Sequence, residues 1–278
     1  MQTLIDAAAL HRRMTSGQRT VILDVRWALG DPRGREHYLA GHLPDAVYVD
    51  LETELAAPAE PLRGRHPLPD AQALQESARR WGINAGDTVV VYDDAGGMSA
   101  ARLWWLLRDG GLEEVLLLDG GLRAWTDAGY PTERGLEQAA LGNVVLGAGA
   151  MPALGREEAG RFPADGVLLD ARAAERYRGD VEPVDPRPGH IPGAVSAPTA
   201  ANLSGSGRFL SAADLAARFR DLGADGTRPV AVYCGSGVTA AHEIAALEIA
   251  GIRAALYPGS FSEWSNHPDL PVATGSEP

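Results

Sequence analysis

The 278-residue chain contains no lysine: all 25 of its basic residues are arginine. That absence excludes Schiff-base chemistry and a Walker-type phosphate lysine. Cysteine occurs once, as Cys234, so an internal disulfide, a four-cysteine zinc site and a C-x-x-C redox pair are all ruled out. No apolar run approaches the roughly 18 residues that span a bilayer. The stretch from Met1 to Met14 carries Asp6 and has no cationic region followed by an apolar one, unlike a signal peptide. The cytoplasm, where a lone thiol stays reduced, is the expected location. Acidic residues outnumber basic ones 37 to 25, for a net charge of −12. Without basic clusters such a surface is a poor match for nucleic acid. What is present is a hydrophobic fraction of 45%, enough for two cored domains at ~100 to 200 residues each.

An internal repeat organises the chain. Val89-Val90-Val91-Tyr92 aligns with Val230-Ala231-Val232-Tyr233 at an offset of 141, and upstream Asp70, Leu74, Trp81 and Gly82 align with Ser211, Leu215, Leu222 and Gly223 at the same offset. The latter segments begin with N-cap residues, end at glycines and carry apolar residues at helical spacing, which predicts two amphipathic helices. Asp24 and Arg26 match Asp170 and Arg172; Gly41-His42-Leu43-Pro44 matches Gly189-His190-Ile191-Pro192; Trp125 matches Trp264. Strands alternating with helices predict an α/β fold of two tandem domains, each a parallel sheet flanked by helices. From Pro131 to Pro152 the chain loses periodicity and gathers Gly and Pro, so the boundaries expected are 1–138 for the first domain, a linker at 139–149, and 150–278 for the second.

Cys234 follows the apolar run Val230 to Tyr233 and precedes Gly235-Ser236-Gly237-Val238-Thr239, where a helix is predicted from Thr239 to Ala250. A thiol at such a strand-to-helix loop faces backbone N–H groups and the positive end of the helix, and the glycines let successive amides curl toward one centre. Those surroundings favour a thiolate. Cys234 read merely as a small buried residue leaves the glycine loop unexplained. The equivalent loop of the first repeat, Asp93-Asp94-Ala95-Gly96-Gly97, has no thiol, so thiolate chemistry is confined to the second. A cysteine phosphatase would need arginine six positions on, where Ala240 stands; the local signature of a papain-like protease is absent too.

The order Cys234-Gly235-Ser236-Gly237-Val238-Thr239, with Gly189-His190-Ile191-Pro192-Gly193-Ala194, Asp119-Gly120-Gly121-Leu122 and Gly259 to Trp264, resembles the tandem-domain sulfurtransferases, the rhodanese and 3-mercaptopyruvate sulfurtransferase family. The resemblance covers nearly the whole chain. It implies two rhodanese-like domains, the first inactive and the second catalytic, and transfer of sulfane sulfur through a persulfide on Cys234 without metal or organic cofactor. It also implies a small-molecule sulfur donor and an acceptor that is a thiol, cyanide or a thioredoxin-like protein.

Thiosulfate-specific members carry Arg and Lys directly after the cysteine; here Gly235 and Ser236 stand there, as in mercaptopyruvate sulfurtransferases. The resemblance then assigns proton handling to Ser236, His66 and Glu52, with Asp50 as an alternative acid, and donor binding to Arg176, Arg187 and the loop residues Gly235, Gly237, Val238 and Thr239. Guanidinium groups suit the donor's carboxylate. Thiosulfate:cyanide sulfur transfer and a non-catalytic sulfur-carrier or binding module are the alternatives. His42 and His190, present in both repeats, are expected to bond backbone, Asp24 and Asp170 to pair with Arg26 and Arg172, and Trp104, Trp105 and Trp125 to be core; Trp264 reads equally as core or pocket lining.

Overall fold

Short runs rich in Val and Leu between turn residues favour strands, and where both faces are covered every position is apolar. A computed structural model, describing residues 2–278, places β1 (Leu4–Ile5), β2 (Thr20–Asp24), β3 (Val47–Tyr48), β4 (Thr88–Tyr92), β5 (Val115–Leu118), β6 (Val167–Asp170), β7 (Val195–Ser196), β8 (Val230–Tyr233) and β9 (Ala254–Leu256) in two sheets. The orders are β1-β5-β4-β2-β3 and β7-β6-β8-β9, with every pair parallel. The repeat relates β2 to β6, β3 to β7, β4 to β8 and β5 to β9. Where the first sheet has β1, the second has only an isolated parallel bridge between Ala153 and Leu256. Two-residue strands such as β1, β3 and β7 carry too little periodicity to be read from sequence.

The predicted helices form, capped as expected. Asp70 accepts the N–H groups of Gln72 and Ala73 at 2.8 and 3.3 Å ahead of the helix Ala71–Arg80, and Gly82 follows it in the left-handed region at φ +83°. Ahead of the helix Ala212–Asp221, Ser211 accepts the N–H of Asp214 at 3.2 Å, and Gly223 follows it at φ +80°. The helix after the thiol loop, Thr239–Ile249, is buried along most of its length, as a helix over a two-sided sheet must be. Among the described residues no helix is long and apolar enough to cross a membrane.

The chain forms two compact units. The first comprises Met1–Ala57, Pro69–Met151 and Ser204–Phe209; the second comprises Pro58–Leu68, Pro152–Leu203 and Leu210–Pro278. A single cut therefore does not separate them, because the segment 58–68 belongs with the second unit. The stretch 139–149, aperiodic as expected of a linker, is held by the first unit. The N–H groups of Gly142, Val144 and Gly147 donate to the carbonyls of Arg79, Ile83 and Gly110 at 2.8, 3.1 and 2.9 Å, and Val144 and Leu146 are buried.

Each unit fixes its Gly-His turn by the same device, built from repeat-related residues. Buried Asp24 pairs with Arg26 at 3.0 Å and buried Asp170 with Arg172 at 2.6 Å, and each guanidinium also donates to the turn's glycine carbonyl, Gly41 or Gly189, at 2.7 Å. The hydroxyls of Tyr92 and Tyr233 accept the N–H groups of Leu43 and Ile191. His42 bonds the carbonyls of Leu43 and Gly135, and His190 that of Tyr177. Both histidines are thus structural, as their presence in both repeats suggests. Trp104, Trp105 and Trp125 are fully buried. Trp264 belongs to the second core, with Ala159, Leu168 and Phe261 among its neighbours, and its indole N–H donates to the Pro271 carbonyl.

Candidate active site

The site in the second unit begins where β8 ends. Cys234 is the next residue, 2% exposed, and the N–H of Gly237 donates to its Sγ at 3.2 Å. The glycine after the cysteine admits close neighbours: a Cβ on Gly235 would lie 2.9 Å from Nη2 of Arg65 and 3.5 Å from Nη1 of Arg176. Two guanidinium groups therefore crowd the backbone beside the nucleophile, although no cation lies within the loop itself.

A second loop, which follows β9, braces the first. The N–H groups of Phe261 and Ser262 donate to the carbonyls of Cys234 and Gly235 at 3.0 and 2.8 Å. The N–H of Cys234 donates to Oγ of Ser260 at 3.1 Å, and that hydroxyl donates to the Tyr257 carbonyl at 2.9 Å. Ser260 adopts φ +55°, a left-handed conformation costly for a residue with a side chain. Its repeat partner is Gly121, at φ +56°. The strained serine thus stands in the unit that carries the thiol, where its hydroxyl holds the cysteine's own amide.

The segment 58–68 supplies the third wall. The N–H of Arg65 donates to Oγ of Ser262 at 3.1 Å, and Nδ1 of His66 lies 2.7 Å from Oγ of Ser236. Both partners are nearly buried, His66 at 4% and Ser236 at 6% exposure. A hydroxyl and an imidazole in hydrogen-bond contact two residues from a sulfur nucleophile can relay a proton to a group leaving that sulfur. Val238 is buried and Thr239 begins the helix over the loop. Among the described residues no group of three or more His, Cys, Asp or Glu side chains is placed to hold a metal ion.

Arg176 lies beside the loop, and a chain of charges holds it. Its Nη2 donates to Glu182 at 2.7 Å and to Asp185 at 3.1 Å, and Asp185 also pairs with Arg65. Burial opposes ionisation of Glu182, yet the Arg176 guanidinium and the N–H groups of Val184 and Asp185 hold its carboxyl below the usual range. Burial pushes the Asp185 carboxyl up, against the pull of Arg65 beside it.

Arg187 departs from the expectation of a donor contact. Its guanidinium donates to four main-chain carbonyls, those of Ser265, Leu270, Trp264 and His267, at 2.8 to 3.1 Å. These bonds tie down the chain after the helix Ser260–Trp264, and the cation that accompanies Arg176 at the loop is Arg65 instead. The alignment around Arg187 misleads because arginines in a Pro-rich loop have no periodicity to fix their direction. Arg65 adjoins the motif histidine, and that adjacency was its one signal. Glu52 and Asp50 lie in the first unit, where Oε1 of Glu52 accepts the indole N–H of Trp27 at 2.6 Å and Asp50 caps the helix Leu51–Glu54 by accepting the N–H of Thr53.

In the first unit the loop position equivalent to Cys234 is Asp93, and its carboxyl group is fully enclosed. Oδ1 accepts the N–H groups of Ala95 and Gly97 at 2.8 Å each, and Oδ2 those of Ser99 and Ala100 at 2.8 and 3.0 Å. Two donors on each oxygen is the arrangement of an ionised carboxylate. The loop amides converge here on the chain's own carboxyl group, whose ionisation burial opposes and these N–H groups favour.

The Rhodanese-like domain family matches residues 6–128 and 156–267. A protein of Mycobacterium tuberculosis, provisionally named a thiosulfate sulfurtransferase, is 49% identical over 99% of this chain and 98% of its own length. One from Pseudomonas aeruginosa, provisionally named a 3-mercaptopyruvate sulfurtransferase, is 43% identical over 98% of each. The crystal structure of SseA from Escherichia coli, described as a 3-mercaptopyruvate sulfurtransferase with the rhodanese fold, superposes with a TM-score of 0.82 at 30% identity, covering 94% of this chain and 99% of that one.

Replacing Arg187 with alanine orphans four carbonyls and is expected to cost about 2 to 3 kcal/mol of stability, read as a lower Tm, with little change in donor KM. Arg176→Ala should instead raise KM. An Arg187→Ala protein of unchanged Tm and raised KM would return Arg187 to the donor site.

Proposed function

The chain belongs to the Rhodanese-like domain family and is a sulfurtransferase; from that premise we propose that it moves the sulfur of 3-mercaptopyruvate to a thiophilic acceptor through a persulfide on Cys234. The observation that carries this reading is the contact of Ser236 with His66 beside a sulfur that receives an amide hydrogen bond. The Cys234 thiolate attacks the donor sulfur, an S–S bond forms and the donor's C–S bond breaks. The electron pair of that bond leaves as pyruvate enolate, which takes a proton through Ser236 and His66 to become pyruvate. No external oxidant is needed. An acceptor nucleophile then attacks the outer sulfur and returns Cys234 as thiolate.

The amides of Gly235, Gly237, Val238 and Thr239 line the charged sulfur in both states, and Arg176 engages the donor's carboxylate. Glu52 is the acidic member of the proton-handling set on the family resemblance alone. The acceptor is a small thiol, cyanide or a thioredoxin-like protein, and neither nucleic acid nor membrane takes part. A nucleophile that must remain reduced between turnovers fits the cytoplasm. The catalytic half is assigned to residues 150–278 and the thiol-free half to 1–138, with 139–149 between, and the segment 58–68 supplies His66 to the catalytic site.

Thiosulfate is the second reading of the donor, favoured by the name of the Mycobacterium tuberculosis relative.

Intact mass after incubation with 3-mercaptopyruvate should show the gain of one sulfur atom, lost on reduction and absent from Cys234→Ser; no gain by the unaltered protein would overturn the persulfide reading. His66→Ala should lower kcat with 3-mercaptopyruvate at least ~10-fold, with a smaller loss for thiosulfate, whose leaving sulfite needs no carbon protonated. Equal losses with both donors would reduce His66 to a structural part.

A further inference from the structure

The charges around the thiol loop come in equal numbers. Two guanidinium groups, Arg65 and Arg176, flank Gly235. One carboxylate, Asp185, spans them, with Oδ1 on Arg65 and Oδ2 on Arg176. Glu182 holds the other side of Arg176, and behind it Arg172 pairs with both Glu182 and Asp170. Three cations face three carboxylates. The side chains of Asp185 and Glu182 are 1% and 3% exposed, whereas that of Arg65 is 26% exposed. Arg65 and, at 16%, Arg176 thus stay partly accessible beside Gly235, while Arg172 and the neutralising carboxylates are enclosed.

Burial decides how much this matters. Water screens an exposed carboxylate from its surroundings, while a buried one acts on nearby charge through a medium of much lower dielectric. A donor approaching the two guanidiniums feels their attraction and the repulsion of Asp185 together. Attraction and repulsion both scale with the donor's charge, so the neutralising carboxylate takes away twice as much net attraction from a dianion as from a monoanion. Glu182 takes the Nε–Nη2 edge of Arg176 and Asp185 shares Nη2, so a planar carboxylate on the donor meets Nη1 of Arg176 and Nη2 of Arg65, the atoms nearest Gly235.

Resting on the sulfur-transfer reading above, we infer that Asp185 is a specificity-determining residue: its fixed charge between Arg65 and Arg176 keeps the donor site electroneutral and selects monoanionic α-keto thiols over dianionic thiosulfate. The loop beside the thiol need not carry the selectivity. A buried carboxylate behind the arginines sets it, and does so without touching the transferred sulfur.

The test orders four proteins by the charge of the Arg65–Asp185 pair: Arg65→Gln, the unaltered protein, the double variant Arg65→Gln with Asp185→Asn, and Asp185→Asn. For each, kcat/KM is measured with 3-mercaptopyruvate and with thiosulfate at one ionic strength. The ratio of thiosulfate to 3-mercaptopyruvate should rise about tenfold per unit of charge from Arg65→Gln to Asp185→Asn. The unaltered protein and the double variant should share an intermediate value. Damage to folding or loop position lowers both rates and leaves the ratio flat. A flat ratio, in a protein that still gains sulfur from a donor, would overturn the role of Asp185 and leave the sulfur-transfer reading standing. Failure of the unaltered protein to take sulfur from either donor would overturn both.

Discussion

A loop whose amide hydrogens converge in a buried place must hold an acceptor, because unpaired donors away from water cost more than most single contacts return. Each unit turns from a strand into a helix at the repeat-related loop. In the first, the Asp93 carboxylate takes four N–H groups and fills the place. In the second, the repeat-related atom is the sulfur of Cys234, which takes the N–H of Gly237. The same turn therefore encloses a carboxyl group in one unit and a thiol, 2% exposed, in the other. One side-chain difference separates the two loops, and the proposed sulfur transfer depends on it, since a carboxylate cannot carry a second sulfur.

The scaffolds diverged far less than the sites. The Asp–Arg pair, the tyrosine at the strand end and the histidine in the glycine turn recur in both units, although the two histidines bond different carbonyls. Divergence is concentrated around the thiol: strained Ser260 replaces Gly121, and Arg65 and His66 arrive on a separate segment. Strain at Ser260 and the buried carboxylates under the arginines are local costs of the kind that gather at functional sites and are offset by a well-packed core elsewhere.

Much of this was legible in the sequence because the repeat does the work of an alignment. Matching Val89 to Tyr92 with Val230 to Tyr233 located the central strands, and the same offset set Asp93 against Cys234. Asp70 and Ser211 announced helix starts through their own short side chains. The two-residue strands escaped notice, since two residues show no alternation. Arg187 was placed at the donor site by its neighbours in sequence, but a guanidinium in an irregular loop goes wherever carbonyls lack partners, and here four of them did. Arg65 and Asp185 lie 120 positions apart, and nothing local to either marks the other. His66 was recognisable only through family resemblance, because segment 58–68 joins a unit whose sheet begins about a hundred residues later.

The proposed persulfide requires the loop amides to hold an anionic sulfur chain on Cys234. A crystal structure of the protein after exposure to 3-mercaptopyruvate tests it most directly. The account requires density for a second sulfur bonded to Sγ of Cys234 and lying within hydrogen-bonding distance of the loop N–H groups between Gly235 and Thr239. A second sulfur turned away from those amides, or sulfur carried elsewhere in the chain, would contradict it.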